Sequence, residues 1–100
     1  MDFNIKTKYK IETTTDFKKG LKKAIKRGLD ISKLMNVINI LASGNQLDEC
    51  YSDHVLFRNK RYKDCRECHI EPNWLLVYKI NKDTLILLLY DTGSHSDLFE

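Results

Sequence analysis

The stretch WLLVYKINKDTLILLLY, residues 74–90, decides the fold. Its dense apolar and aromatic run from Trp74 to Ile80 predicts one β-strand, and the run from Thr84 to Tyr90 predicts a second strand that is buried on both faces. Between the two runs, Asn81-Lys82-Asp83 has the composition of a turn. Because so short a connector cannot make a parallel crossover, we predict that the two strands pair antiparallel.

Weaker patterns on the N-terminal side extend this sheet. The stretch from Cys65 to Glu71 predicts a further antiparallel strand, which Pro72-Asn73 ends. Near the start of the chain, apolar and polar residues alternate with a period of two, so a first strand is expected near Lys8 to Thr14. The region 45–63 shows no clear period and predicts a loop, basic toward its end and with aromatic residues interleaved.

Two amphipathic helices are predicted between the first strand and this loop. The first helix has Asp16 as its expected N-cap and ends at Gly28, and the second begins at Asp30 and ends at Ser43-Gly44. Their apolar stripes must be buried, and the predicted sheet supplies a surface for them. We therefore predict a single α+β domain over residues 1–100, with the order β-α-α-β-β-β and both helices on one face of the sheet.

Composition argues against several classes of protein. The 100 residues carry 17 Lys and Arg against 14 Asp and Glu, a mild positive excess that does not by itself imply nucleic-acid binding. The start of the chain shows no apolar run of signal-peptide length, and no stretch approaches the length of a membrane span, so a cytoplasmic protein is expected. Three cysteines are an odd number and too few for a disulfide framework.

The string Cys65-Arg66-Glu67-Cys68-His69 matches the spacing of haem-attachment sites and of half a zinc site. We expect neither, because residues three apart on a strand point to opposite faces and the two sulfurs would diverge. The sequence also holds no second closely spaced Cys or His pair. Cys68 is interpreted as a small buried residue and Cys65 as an incidental one.

The first predicted helix carries a basic stripe with no acidic residue interspersed. Its members are Lys18, Lys19, Lys22, Lys23, Lys26 and Arg27. A Lys-rich helix face is in most proteins only a solvated surface, but these like charges repel one another unless a polyanion is near. The pattern favours contact with RNA or the ribosome through counterion release.

Histidines and two aromatic residues are the candidates for chemistry. The three histidines, His54, His69 and His95, fall in the predicted loop, in the middle strand and at the end of the last strand. Imidazole donates and accepts protons near neutral pH, as cleavage of a phosphodiester through the neighbouring 2′-hydroxyl requires, although a lone histidine is more often a surface or packing residue. Trp74 and Phe99 are interpreted either as core residues or as platforms for RNA bases.

Three segments resemble the YafQ branch of the RelE toxin superfamily. They are Asp53-His54, the stretch RECHIEPNWLLVY at residues 66–78, and the stretch TGSHSDLF at residues 92–99. The pieces H-x-E-P-x-W and G-S-H-S-x-L-F are specific together, and the similarity extends over nearly the whole chain. The resemblance implies a RelE-like fold and a ribosome-dependent mRNA endoribonuclease. Such a toxin needs no metal or other cofactor, and a cognate antitoxin neutralises it.

The resemblance also implies which residues form the site. His54, His69 and His95 fall on the active-site histidines of the family, and we take His95 as the general acid that protonates the leaving 5′-oxygen. Trp74 and Phe99 fall on the aromatic site residues of the family and would contact bases of the substrate.

At Asn73 the chain departs from the family pattern. Relatives commonly carry Asp there, a candidate general base, whereas an amide can hydrogen-bond to substrate but cannot accept a proton at neutral pH. The role of general base is therefore expected to move to His69 or to His54.

Asp91 is the second departure. Relatives carry at this position an Arg that stabilises charge on the phosphate, and Asp91 would repel that charge. A replacement cation is expected from the basic segment 58–63, which begins at Arg58. Lys63 is preferred because it would share strand parity with His69, and Arg61 is the second candidate. Arg66 is expected on the opposite face.

Two further hypotheses remain open. A toxin on the same scaffold would block the ribosome without cleaving, or inhibit a topoisomerase as ParE-like proteins do. Asn73 and Asp91 favour this alternative, and the three histidines disfavour it, because a pure blocker has no chemical need of them. In the other hypothesis, the domain only docks an acidic protein partner through its basic helix.

Overall fold

The computed structural model describes residues 7–57 and 59–100. The strands are β1 (Lys10–Thr13), β2 (His54–Val55), β3 (Arg66–Glu71), β4 (Trp74–Asn81) and β5 (Ile86–Gly93). The α-helices are α1 (Thr15–Lys26), α2 (Ile31–Ala42) and α3 (His95–Phe99), and a 3-10 turn spans Glu49–Tyr51. No helix within these two ranges is long and apolar enough to cross a membrane.

The strands form one mixed sheet in the order β1-β5-β4-β3-β2. The predicted meander is confirmed, since β3, β4 and β5 pair antiparallel in chain order. Strand β1 lies parallel to β5, with Lys10 opposite Ile86 and Thr13 opposite Leu89. The predicted order of strands and α-helices lacks β2 and α3. Strand β2 has two residues and α3 has five, which are too few to show a periodic pattern of apolar residues.

Side-chain caps begin both long helices. Asp30 caps α2 as predicted, and its carboxylate accepts from the backbone N–H of Ser32 at 3.0 Å. For α1 the predicted cap is wrong, since Thr14 and not Asp16 accepts from the backbone N–H of Phe17, at 3.0 Å. Thr14 has the extended backbone that a cap requires, whereas Asp16 lies inside the first turn, where its charge suits the positive end of the helix.

The sheet has apolar clusters on both faces. Helices α1 and α2 cover the first face, as predicted, and bury a large cluster that includes Cys68 and Leu76. The second face carries a smaller cluster that consists of Tyr62, Cys65, Leu75, Val77 and Leu98. The two strand cysteines therefore point to opposite faces, as predicted. Cys65 is fully buried, however, so its interpretation as an incidental residue is wrong.

Strand β5 is not buried on both faces, contrary to the prediction. Leu87 and Leu89 are buried in the cluster beneath the helices, whereas Leu88 and Tyr90 are only half-buried. The helix that follows, α3, packs its Leu98 over the smaller cluster and leaves part of this second face open.

Candidate active site

A buried carboxylate, Glu67, lies between two of the predicted site histidines. Glu67 and His69 alternate with Cys68 along β3 and so lie on the face away from α1 and α2. Strand β2 pairs antiparallel with β3 and places His54 directly opposite Glu67. Oε1 of Glu67 lies 3.3 Å from Nε2 of His69 and 3.8 Å from Nε2 of His54. One carboxylate thus faces both rings.

Glu67 and the histidines differ sharply in accessibility. The Glu67 side chain is only 4% exposed, whereas the side chains of His54 and His69 are 51% and 29% exposed. Substrate can reach the rings but not the carboxylate beneath them. Glu67 is not among the predicted site residues, although its position two residues before His69 on a predicted strand is a signal that the two share a face.

The second nitrogen of each ring faces a backbone carbonyl. Nδ1 of His54 lies 2.7 Å from the carbonyl oxygen of Ser52, and Nδ1 of His69 lies 3.3 Å from that of Pro72. Because a carbonyl oxygen only accepts, both contacts require a proton on Nδ1. On a neutral His54 ring this leaves the lone pair on Nε2, and the side chain as a whole is 51% exposed.

A polar cluster on the opposite face anchors the start of β2. Asp53 accepts two hydrogen bonds from the guanidinium of Arg66, at 3.1 and 3.3 Å, and a further one from the hydroxyl of Tyr78. Burial, together with Asp53, raises the pKa of Tyr78 and keeps it a donor. Arg66 therefore points away from His69, as predicted, and the cluster fixes the residue that precedes His54.

His95 is the first residue of α3 rather than the last residue of a strand. Its backbone N–H donates to Oδ1 of Asn73 at 3.3 Å, and its ring lies 5.1 Å from that of Phe99, centroid to centroid. Leu75 on β4 pairs with His69 on one side and with the end of β5 on the other. The site thus has two parts, the His54–Glu67–His69 cluster and the His95 end of α3, with β4 between them.

The two predicted aromatic contacts have different positions. Trp74 is 2% exposed, lies in the large cluster under the helices, and donates from Nε1 to Oγ1 of Thr92 at 3.0 Å. Such burial favours the core interpretation of Trp74 over the predicted contact with substrate. Phe99 is half-buried and meets Tyr62 edge to face at 5.7 Å.

Strand geometry does not place the candidate cations beside the histidines. Lys63 lies in a turn that precedes β3, so it has no strand parity with His69. Nη2 of Arg61 lies 3.4 Å from Asp91 and 3.8 Å from Asp16. Arg58, the first residue of the predicted segment, lies outside the described residues.

Asp91 is a buried structural carboxylate. It is 5% exposed and accepts from the hydroxyl of Tyr62 at 2.8 Å as well as from Arg61. Burial and this contact raise the pKa of Tyr62. The negative charge of Asp91 is therefore compensated within the fold. Within 7–57 and 59–100, no three His, Cys, Asp or Glu side chains are arranged to hold a metal ion.

Known proteins of similar sequence are bacterial toxins. The family model described as "Bacterial toxin of type II toxin-antitoxin system, YafQ" matches residues 9–100. A chain from Escherichia coli strain B / BL21-DE3 named mRNA interferase toxin YafQ is 36% identical over 90 residues, which cover 89% of this chain and 94% of the relative.

Solved structures of the same kind have the same fold. In the E. coli DinJ-YafQ toxin-antitoxin complex, one chain matches with a TM-score of 0.83 and 33% identity, over 93% of this chain and 99% of the other. A metal-bound toxin from Helicobacter pylori matches with a TM-score of 0.84 and 44% identity, over 91% and 99%. The chain therefore belongs to the YafQ family of bacterial type II toxin–antitoxin toxins.

Proposed function

We propose that this chain is an mRNA endoribonuclease, the toxin of a type II toxin–antitoxin pair, and that it cleaves messages on the ribosome in the cytoplasm. Its relatives are named mRNA interferase toxins. The observation that carries the proposal is the buried Glu67 carboxylate beneath the accessible rings of His54 and His69, because a carboxylate beside an imidazole is an arrangement suited to proton transfer.

The proposed reaction is a transesterification within the RNA strand. The 2′-hydroxyl loses its proton, and its oxygen attacks the adjacent phosphorus while the bond from phosphorus to the 5′-oxygen breaks. A general acid gives a proton to that 5′-oxygen. The products are a 2′,3′-cyclic phosphate and a 5′-hydroxyl, and the step needs a base, an acid and positive charge near the phosphate.

His54 is assigned as the general base. The carbonyl of Ser52 holds the proton on Nδ1, so Nε2 is free to accept the proton of the 2′-hydroxyl. Oε1 of Glu67, 3.8 Å from that nitrogen, stabilises the positive ring that results. Asn73 cannot take this role, because an amide does not accept a proton at neutral pH.

His69 is assigned to the phosphate. Its Nδ1 lies 3.3 Å from the carbonyl oxygen of Pro72 and its Nε2 lies 3.3 Å from Oε1 of Glu67, so a positively charged ring would be stabilised by that carboxylate. This cation would stand in for the family arginine that Asp91 replaces. Lys63 and Arg61 are proposed as further contacts to the RNA backbone from the basic loop.

His95 is assigned as the general acid, on the other side of β4 from the base. Asn73 holds its backbone, and Phe99 beside it offers a half-exposed ring on which a base can stack. The lysines of α1 would contact ribosomal RNA through their charge, with a strong dependence on salt.

We propose a cognate antitoxin as the protein partner. The solved relative from E. coli is in complex with DinJ. The net charge of +3 and the basic face of α1 suit an acidic segment in such a partner.

The test is in vitro translation followed by primer extension on the message. The native chain and the Ser96→Ala variant, which changes an exposed neighbour on α3, are expected to cut the message, and His95→Ala is expected to cut it about 10²- to 10⁴-fold more slowly. Equal cleavage by His95→Ala would refute the role of His95. Stalled translation without any cut message would establish the non-cleaving alternative, and arrest of DNA supercoiling instead of translation would establish the topoisomerase alternative.

A further inference from the structure

The carboxylate of Asp97 joins α3 to α1. Nη1 of Arg27 lies 2.6 Å from Oδ2 of Asp97, and Nη2 lies 3.1 Å from Oδ1. Oδ2 also accepts from the backbone N–H of Ser94, at 2.9 Å, as part of a capping box that begins α3. The Arg27 guanidinium, followed by the Ser94 N–H, holds the pKa of Asp97 well below its usual range. Both oxygens of the Asp97 carboxylate therefore accept hydrogen bonds, and Oδ2 accepts two.

At two glycines, α1, β5 and α3 approach one another closely. A Cβ on Gly20 of α1 would lie 2.1 Å from the carbonyl oxygen of Thr92. A Cβ on Gly93 would lie 2.9 Å from Cβ of Asp97 and 3.0 Å from its Oδ2. Gly20 therefore lies against the backbone of Thr92, and Gly93 lies against the side chain of Asp97. Because these contacts fix α1 on β5, they also fix where Arg27 lies relative to α3.

Helix α3 depends on such contacts, because five residues are too few for a helix to be stable on its own. Its other attachments include the buried side chain of Leu98, the contact of Phe99 with Tyr62, and the contact from Asn73 to the backbone of His95. His95 follows the capping residue Ser94 directly, so any rotation of the first turn moves its imidazole.

We propose that Arg27, acting through Asp97, is a positioning residue for His95. This inference rests on the proposed function of His95 as general acid. Among the described residues, the Arg27 guanidinium donates its hydrogen bonds to Asp97, and its side chain is 47% exposed, so it is a helix-to-helix tether rather than a group that touches the reacting atoms. Misplacement of a catalytic group by a fraction of an ångström to one ångström lowers the rate of the chemical step more than it lowers binding.

The test compares Arg27→Gln with Lys82→Gln. Both remove one positive charge, but Lys82 lies in the turn between β4 and β5, at the end of the sheet opposite α3. We expect Arg27→Gln to lower the maximal rate of message cleavage about tenfold while the toxin concentration that gives half-maximal cleavage stays within about twofold. Lys82→Gln is expected to change neither. A rise in the half-maximal concentration at an unchanged maximal rate would overturn the proposal and make Arg27 a ribosome contact.

The same substitution in a His95→Ala background gives the second readout. If Arg27 acts through His95, Arg27→Gln adds no further loss to the residual cleavage of His95→Ala. A full additional tenfold loss in that background would show that Arg27 acts independently of His95 and would overturn the proposal.

Amide hydrogen exchange on the free protein tests the tether without any cleavage assay. The amides of Asp97 and Leu98 donate to Ser94, and their exchange is expected to speed up in Arg27→Gln and not in Lys82→Gln. Unchanged exchange in Arg27→Gln would overturn the positioning role. A native chain that cuts no message would refute the proposed function, whereas the exchange result would still decide whether Arg27 holds α3.

Discussion

Oε1 of Glu67 lies 3.3 Å from Nε2 of His69, and the carboxylate is buried while the ring is accessible. Because the two side chains lie two residues apart on one strand, their contact is built into the pleat of β3. The pairing of β2 with β3 then adds His54 to the same carboxylate.

Removal of the charge from Glu67 is expected to slow cleavage. Glu67→Gln keeps the shape of the side chain but leaves the imidazolium forms of His54 and His69 without their anion. Two opposite charges about 4 Å apart attract by about 1 kcal/mol in water and about 4 kcal/mol near a protein surface, so cleavage should fall about 10- to 100-fold. Single-turnover cleavage measures this, with Glu12→Gln on the exposed side of β1 as the control. Equal rates for the two variants would contradict the role of Glu67.

Asn73→Asp is expected to speed cleavage. The new carboxylate would keep the hydrogen bond to the backbone N–H of His95 and would also offer a proton acceptor at the position where relatives carry one. An added general base should raise the rate about tenfold or more. The matched control is Asn81→Asp, because Asn81 also accepts backbone N–H bonds, in the turn at the far end of β4. No gain over the control would mean that His54 already supplies the full base function.

Trp74→Phe is expected to lower stability and spare cleavage. The substitution removes the indole N–H that donates to Thr92 and leaves a gap in the core, which costs about 1–2 kcal/mol of unfolding free energy. Urea denaturation measures the loss, and cleavage per folded molecule should stay unchanged. Reduced cleavage at unchanged stability would instead restore the base-stacking role.

The contribution of Asp97 to stability is expected to depend on pH. Its pKa in the folded protein lies below the ordinary value, so its stabilisation is fully present above that value and is lost as the pH falls through the folded pKa. The unfolding free energies of the native chain and Asp97→Asn should therefore differ most above about pH 5 and converge toward about pH 2. Urea denaturation across this range measures the difference. Asp83→Asn, an exposed turn substitution, is the control, and a constant gap for Asp97→Asn would contradict the assignment.

Local patterns were sufficient to predict the sheet and the two long helices. Alternation and apolar runs marked β1, β3, β4 and β5, and Asp30 marked the start of α2, because burial on one face and capping depend on residues close in sequence. The predicted cap of α1 was wrong by two residues, because Thr14 has the extended backbone that the role requires. Strand β5 begins two residues and ends three residues later than predicted.

The arrangement of the site could be recognised only from the tertiary structure. The register of a two-residue strand sets His54 opposite Glu67, and the packing of α1 and α2 puts Trp74 in the core although its sequence context suits either role. Arg61 meets Asp91 only because the loop before β3 folds back over β5. The sequence by itself determined the elements and the histidines, whereas contacts between residues distant in the chain decided which side chains share a site, because no local period records them.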